Sequence, residues 1–287
     1  MHRLGREVRF SVSPFLPRDE QGFNSYCSKP AGRDVAVYFA LMVELKGRVE
    51  PATGLLVNVT EIDRCVRGHI VPLFAQMVRQ KYRERQHISL ADLAALLRRS
   101  GRLLNRELAP ARVAAVSLKL SPFRKITFCA EDSRVFCFSE KFEFAAAHKL
   151  WNERFSAKKN FDIFGKCANP AGHGHNYIVE VTVRPASAAR FKVAEFQRRV
   201  GEHFIRLVDH KNLNAEVERF RTVLPTVENI AAFAWDKLAA HLGRTLYSIT
   251  VWETDRTCCC YYGGDRRTKR AGKTVRPAGK TSHRKRR

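Results

Sequence analysis

Three histidines, His148, His173 and His175, are the residues of this chain whose types and spacing best suit a chemical task. In a strand, positions i and i+2 face one side, so the imidazoles of His173-Gly174-His175 can reach a single ion together. His148 ends an earlier apolar stretch and can complete a tripod. Three neutral imidazoles leave a fourth position open, the arrangement of a catalytic rather than a structural Zn2+. Taken alone, His-x-His reads as well as polar histidines around a glycine turn. Cys167 lies close by, next to Lys166; a thiol near a metal and a lysine has a lowered pKa and can serve as a base. A small buried hydrophobe is the other reading of Cys167. Asp209-His210 sets a carboxylate beside an imidazole, as a proton relay requires. Glu253, in Trp-Glu-Thr-Asp, can accept hydrogen bonds from a guanidine-like edge. Thr226 and Glu228 open a helix after Pro225, a position that fits capping as well as binding.

The elements that must hold these residues come in two similar runs. Phe10 to Leu16 lines up with Phe144 to Leu150, and Cys27 to Val35 with Cys167 to His175. Ser89 to Leu96 echoes Thr226 to Phe233. Each run reads as strand, loop, strand, helix, helix, strand, which predicts an α+β fold with helices on one face of a sheet. The second run places strands over 136–150, 176–183 and 247–262, with helices over 188–207 and 227–242. Opposite the three histidines the first run has Pro14, Arg33 and Val35; Phe74 and Ala75 stand opposite Asp209 and His210, and Leu120 opposite Glu253. The chemistry-bearing set is absent from that copy as a whole.

Of the 287 residues, 52 are Lys or Arg and 28 Asp or Glu, a net charge of +24. The stretch Arg266–Arg287 contains eleven of those cations and no acid, which predicts a disordered basic tail. Such a tail can bind phosphate backbones without selectivity, but no aromatic residues interleave it, so nucleic acid is at most an accessory partner. The longest apolar stretch, Val35–Val43, is too short for a bilayer, and the N-terminus has no apolar signal core. These features predict a cytoplasmic protein, without a membrane partner, whose eight cysteines are reduced. Cys258-Cys259-Cys260 reads as a core strand, since successive strand residues cannot face one ion.

The motifs Phe-Ala-Ala-Ala-His148-Lys-Leu, Phe-Gly-Lys-Cys167-Ala-Asn-Pro-Ala-Gly-His173-Gly-His175-Asn-Tyr, Asp209-His210-Lys-Asn-Leu-Asn, Pro-Thr226-Val-Glu228-Asn and Trp-Glu253-Thr-Asp occur in that order. Together they closely resemble the 6-pyruvoyltetrahydropterin synthase family over about residues 136–264. The resemblance implies two tandem tunnelling-fold domains, each an antiparallel four-stranded sheet with two helices on one face. Residues 1–130 would be the degenerate copy, 131–264 the catalytic one and 265–287 the tail. It further implies a zinc-dependent lyase that converts 7,8-dihydroneopterin triphosphate to 6-pyruvoyl-tetrahydropterin with loss of triphosphate, in a homo-oligomer. By the same resemblance His148, His173 and His175 hold zinc, Cys167 is the base, Asp209 and His210 relay protons, and Glu253, Thr226 and Glu228 bind the pterin. Lys149, Lys158, Lys159 and Lys166 are candidate triphosphate partners. Two alternatives remain open: 6-carboxytetrahydropterin synthesis on the queuosine route, and a non-catalytic pterin-binding or scaffold protein. The five residues between Cys167 and His173 resemble the pyruvoyl type, whereas the carboxy type typically has three. After Val183 the chain departs from the family's Gly-Glu-x-x-Pro-x-Thr-Gly hairpin, which the first copy retains near Leu45–Thr60.

Overall fold

The computed structural model describes residues 1–15, 36–130 and 136–264. Cys27, Arg33, Val35, most of the joint at 130–134 and the basic tail lie outside them, so the expectations placed there are not addressed. Among the described residues the chain begins with β1 (His2–Val12) and β2 (Val37–Gly47). Then come α1 (Val59–Cys65), a π-helical turn (Val66–Ile70), α2 (Val71–Arg83) and α3 (Leu90–Glu107). β3 (Arg112–Ser121) and β4 (Arg124–Cys129) close this half. The second half follows with β5 (Phe136–His148), α4 (Ala157–Phe164) and β6 (His173–Val183). Next are α5 (Val193–Val200), a second π-helical turn (Gly201–Ile205) and α6 (Arg206–Val208). The short β7 (Lys211–Asn212) and α7 (Leu213–Glu216) precede α8 (Val227–Leu242), and β8 (Leu246–Thr254) and β9 (Thr257–Tyr261) end the described chain.

The strands form one sheet in the order β1-β2-β3-β4-β5-β6-β8-β9, all antiparallel, with β7 added in parallel to β5. The fold is thus α+β, and its halves are joined by β4 pairing with β5. Alternation decides which face is covered. Phe39, Leu41, Val43 and Leu45 on β2, and Tyr177, Val179 and Val181 on β6, are buried in one continuous apolar core. α3 packs on β3 and β4, and α8 on β8 and β9. α3 starts with a capping box in which Ser89 and Asp92 satisfy each other's backbone N–H.

The registers of the two halves run alike. Phe10 pairs with Phe39 and Leu41 with Leu118; Phe144 pairs with Tyr177 and Val179 with Val251. Irregularities fall at Glu44/Leu45 and Lys119/Ser121 in one half, and at Thr182/Val183 and Trp252/Thr254 in the other. Counted from those pairs, Glu253 stands opposite Leu120. On the same count His175 stands opposite Val37, which pairs with Val12, and not opposite Val35; the counterpart of His173 lies outside the described residues. Counted from the π-helical turns, Phe74 and Ala75 stand opposite Asp209 and His210.

Two further expectations change. Cys258–Cys260 is not in a core strand, because β9 is a sheet edge and Cys258 and Cys260 are exposed. The helix expected over 188–207 begins at Val193 and contains the π-helical turn. Among the described residues no helix is long and apolar enough to cross a membrane.

Candidate metal centre

The centre is built by extending the apolar rows of the core past the end of the sheet. On β5 the covered face carries Phe144, Ala146 and His148; on β6 it carries Tyr177, His175 and His173. The register sets Phe144 against Tyr177, Ala146 against His175 and His148 against His173. Phe144 and Tyr177 stack with centroids 4.9 Å apart, a floor beneath the imidazoles. Each histidine offers one nitrogen such that all three lie within 4.8 Å of one another.

Hydrogen bonds set the tautomers. His148 is buried, and its Nδ1 lies 2.9 Å from the carbonyl of Pro225, to which it must donate. Its Nε2 therefore carries a lone pair, and that atom is 3.2 Å from Nε2 of His173. His175 Nε2 is buried with no hydrogen-bond partner. A lone pair at His148 Nε2 and an unpartnered nitrogen at His175, converging with His173, are what a cation needs, so the donor set fits a metal ion. Burial pushes His148 and His175 below the ordinary imidazole pKa, with the Glu253 carboxylate opposing it in part.

That shift has a measurable sign. The folded chain keeps these rings neutral where the unfolded chain protonates them, so their contribution to stability is complete above about pH 6.5. It is lost as pH falls toward the lower folded values. The metal-free chain should therefore unfold at lower urea at pH 5.5 than at pH 7.5, and His175→Gln should narrow that gap; an unchanged gap would remove His175 from the explanation.

The loop before β6 is shaped by one glycine. Gly172 has φ +69°, and a Cβ there would sit 2.8 Å from the carbonyl oxygen of His148. Gly172→Ala should cost about 1–3 kcal/mol through backbone strain. It should also loosen metal binding, since the displaced atom belongs to a ligand's own backbone. Thermal unfolding and metal titration of the variant test both.

Cys167 sits in a short helical turn with Sγ 3.7 Å from His173 Nε2. Without a metal ion beside it, burial, then the Glu253 carboxylate, push the thiol up, and Lys166 makes no compensating contact. Glu253 reaches the tripod from β8: its Oε1 is 3.5 Å from His148 Nε2 and 3.6 Å from His175 Nε2.

Asp209 and His210 are placed differently. Asp209 Oδ1 accepts from the Ala145 N–H at 3.0 Å and lies 3.0 Å from His210 Nδ1. Those bonds, the backbone one foremost, hold its carboxyl below the usual range. His210 adopts φ +55° and is exposed, and it shares an open depression with His175. Among the described residues neither Asp209 nor His210 bonds to Cys167 within one chain. Thr226 caps α8, accepting from the Asn229 N–H at 3.4 Å, and Glu228 is exposed.

Of the lysines, Lys158 pairs with Asp162 at 2.8 Å and Lys159 lies over Phe155 at 4.1 Å, so neither faces the centre. Lys149 instead lines a cleft of about 610 Å3 with Arg154, Arg221, Trp151 and Asn214, beginning one residue beyond His148. Sequence reasoning missed Arg154, Arg221 and Tyr177. Only the tyrosine had a signal, at i+2 from His175 on the same face.

Comparison with known proteins supplies the context. The family described as 6-pyruvoyl tetrahydropterin synthase matches residues 137–264. The human protein named 6-pyruvoyl tetrahydrobiopterin synthase is 39% identical over 130 residues, covering 44% of this chain and 90% of that one. The Dictyostelium discoideum protein of the same name is 31% identical over 135 residues, covering 46% and 98%. The solved Caenorhabditis elegans 6-pyruvoyl tetrahydropterin synthase is 34% identical, with a TM-score of 0.42, over 45% of this chain and 96% of that one.

Proposed function

The chain belongs to the 6-pyruvoyl tetrahydropterin synthase family, and we propose that it is the lyase that converts 7,8-dihydroneopterin triphosphate to 6-pyruvoyl-tetrahydropterin, using zinc at His148, His173 and His175. The observation that carries this is the convergence of three imidazole nitrogens at the end of the core rows, with that of His148 left free of a proton by its bond to Pro225. Bound zinc supplies Lewis-acid polarisation of the substrate's side-chain hydroxyls. The remaining work falls to side chains. Glu253 anchors the pterin edge, with Thr226 and Glu228 beside it at the start of α8. Cys167 Sγ holds and returns a carbon-bound proton. The Asp209 carboxylate orients the imidazole of His210 through Nδ1 and leaves Nε2 to move the second proton. Because these two stand apart from Cys167 within one chain, a site completed by a second copy fits the reading of a homo-oligomer. Lys149, Arg154 and Arg221 give the cleft a positive wall for the triphosphate.

We read residues 1–130 as a second tunnelling-fold copy without the chemistry, 131–264 as the catalytic copy and 265–287 as a tail. The matching registers and irregularities support this, as do Leu120, Phe74 and Ala75 at the site positions. A cytoplasmic location is part of the same reading.

Purified protein incubated with 7,8-dihydroneopterin triphosphate should yield the 6-pyruvoyl product by mass spectrometry, and a chelator should abolish it. A 6-carboxy product would place the chain on the queuosine route instead. Pterin binding without turnover would make it a scaffold.

A further inference from the structure

The carboxylate of Glu253 lacks a cation. Among the described residues its charge partners within 4.0 Å are His148 Nε2 at 3.5 Å and His175 Nε2 at 3.6 Å, and no Lys or Arg pairs with it. The Nε2 of His148 has no proton to offer, since Nδ1 donates to the Pro225 carbonyl. His175 Nε2 is buried without a hydrogen-bond partner. An anion and the lone pair of His148 thus face one another across a partly buried gap, beside a His175 nitrogen that has no partner, an arrangement that costs free energy unless a cation lies between them.

Three of the spacings fit one, within a set of histidine nitrogens that lie within 4.8 Å of one another. Donor atoms that share a tetrahedral ion through bonds of about 2.0–2.2 Å lie about 3.3–3.6 Å apart. The distances here are 3.2 Å between the Nε2 atoms of His148 and His173, then 3.5 and 3.6 Å to Glu253. The carboxylate leans over the His148–His175 edge and has no pairing with His173 within that 4.0 Å limit, so it stands at one side of the three nitrogens.

We propose that Glu253 is an exchangeable fourth metal donor, which closes the centre while no pterin is bound and leaves the ion when pterin takes the carboxylate. The proposal rests on the reading of the three histidines as a metal site. Tyr177 stands beneath this edge. Its hydroxyl oxygen lies 3.3 Å from His148 Nδ1, and its ring is buried and stacked on Phe144, which holds the His148 imidazole in place.

The test uses the full chain loaded with Co2+, whose visible absorption reports the donor set, and 7,8-dihydroneopterin, a pterin lacking the triphosphate arm. Without pterin, Glu253→Gln should differ from the wild type in its cobalt bands and should release the ion to excess chelator about tenfold faster or more. Glu253→Asp, which keeps the charge at shorter reach, should lie between them. Added pterin should shift the wild-type bands. Identical pterin-free spectra and release rates in the wild type and Glu253→Gln would overturn the proposal. So would wild-type bands that pterin leaves untouched. If neither protein took up cobalt, the metal reading would fall as well, whereas cobalt uptake without a Glu253 effect removes only this inference. Thermal melts of each variant separate these outcomes from misfolding.

Discussion

His173→Ala is expected to give a folded chain that retains no stoichiometric zinc and turns over substrate at least about 10^3-fold more slowly. The magnitude follows from what remains. Two imidazoles and a carboxylate still converge, but His173 supplies the nitrogen nearest both His148 and Cys167. Its loss therefore removes an ion ligand and the neighbour of the base together. The fold should survive, because His173 begins β6 and is half-buried, while Tyr177, Val179 and Val181 hold that strand in the core. Metal analysis by mass spectrometry and steady-state kinetics decide the matter. Near-normal zinc content in the variant would mean that the tripod is not the site.

Cys167→Ala should behave differently, and the contrast is informative. Zinc should be retained in full, while kcat falls about 10^2–10^4-fold, the range expected on deleting a general base. KM should change little, since the thiol contacts the imidazole of His173 rather than the cleft of Lys149 and Arg154. Pterin affinity, followed by fluorescence quenching, should match the wild type. A variant with normal kcat would reduce Cys167 to a small buried side chain.

Much of this centre was legible because strand alternation is strict. Once His173, His175 and Tyr177 are seen as one face, the register with Phe144 and His148 leaves few placements. Helix α8 was legible to the residue, since Thr226 caps it and Gly243, at φ +56°, ends it. What was not legible depended on long-range contact. Lys158 and Lys159 looked like anion ligands until Asp162 and Phe155 were found beside them. In the metal-free chain the direction of the Cys167 shift turns on burial first and then on Glu253, far away in sequence, and not on adjacent Lys166. Cys258–Cys260 is apolar enough for a core, but composition does not say which strand ends a sheet.

The pairing of β4 with β5 has a practical consequence for anyone who would trim the molecule. Residues 124–128 cover the backbone edge of residues 136–140, and Arg124 neutralises the buried Glu140 at 2.7 Å, with Gln197 also donating to it at 2.7 Å. A fragment that begins at Phe136 would uncover a strand bearing Phe136, Phe138 and an unmatched carboxylate. Exposed edges of that kind recruit other chains indiscriminately. The N-terminal half therefore acts as a selvage, the finished border that keeps the adjoining cloth from unravelling into aggregate.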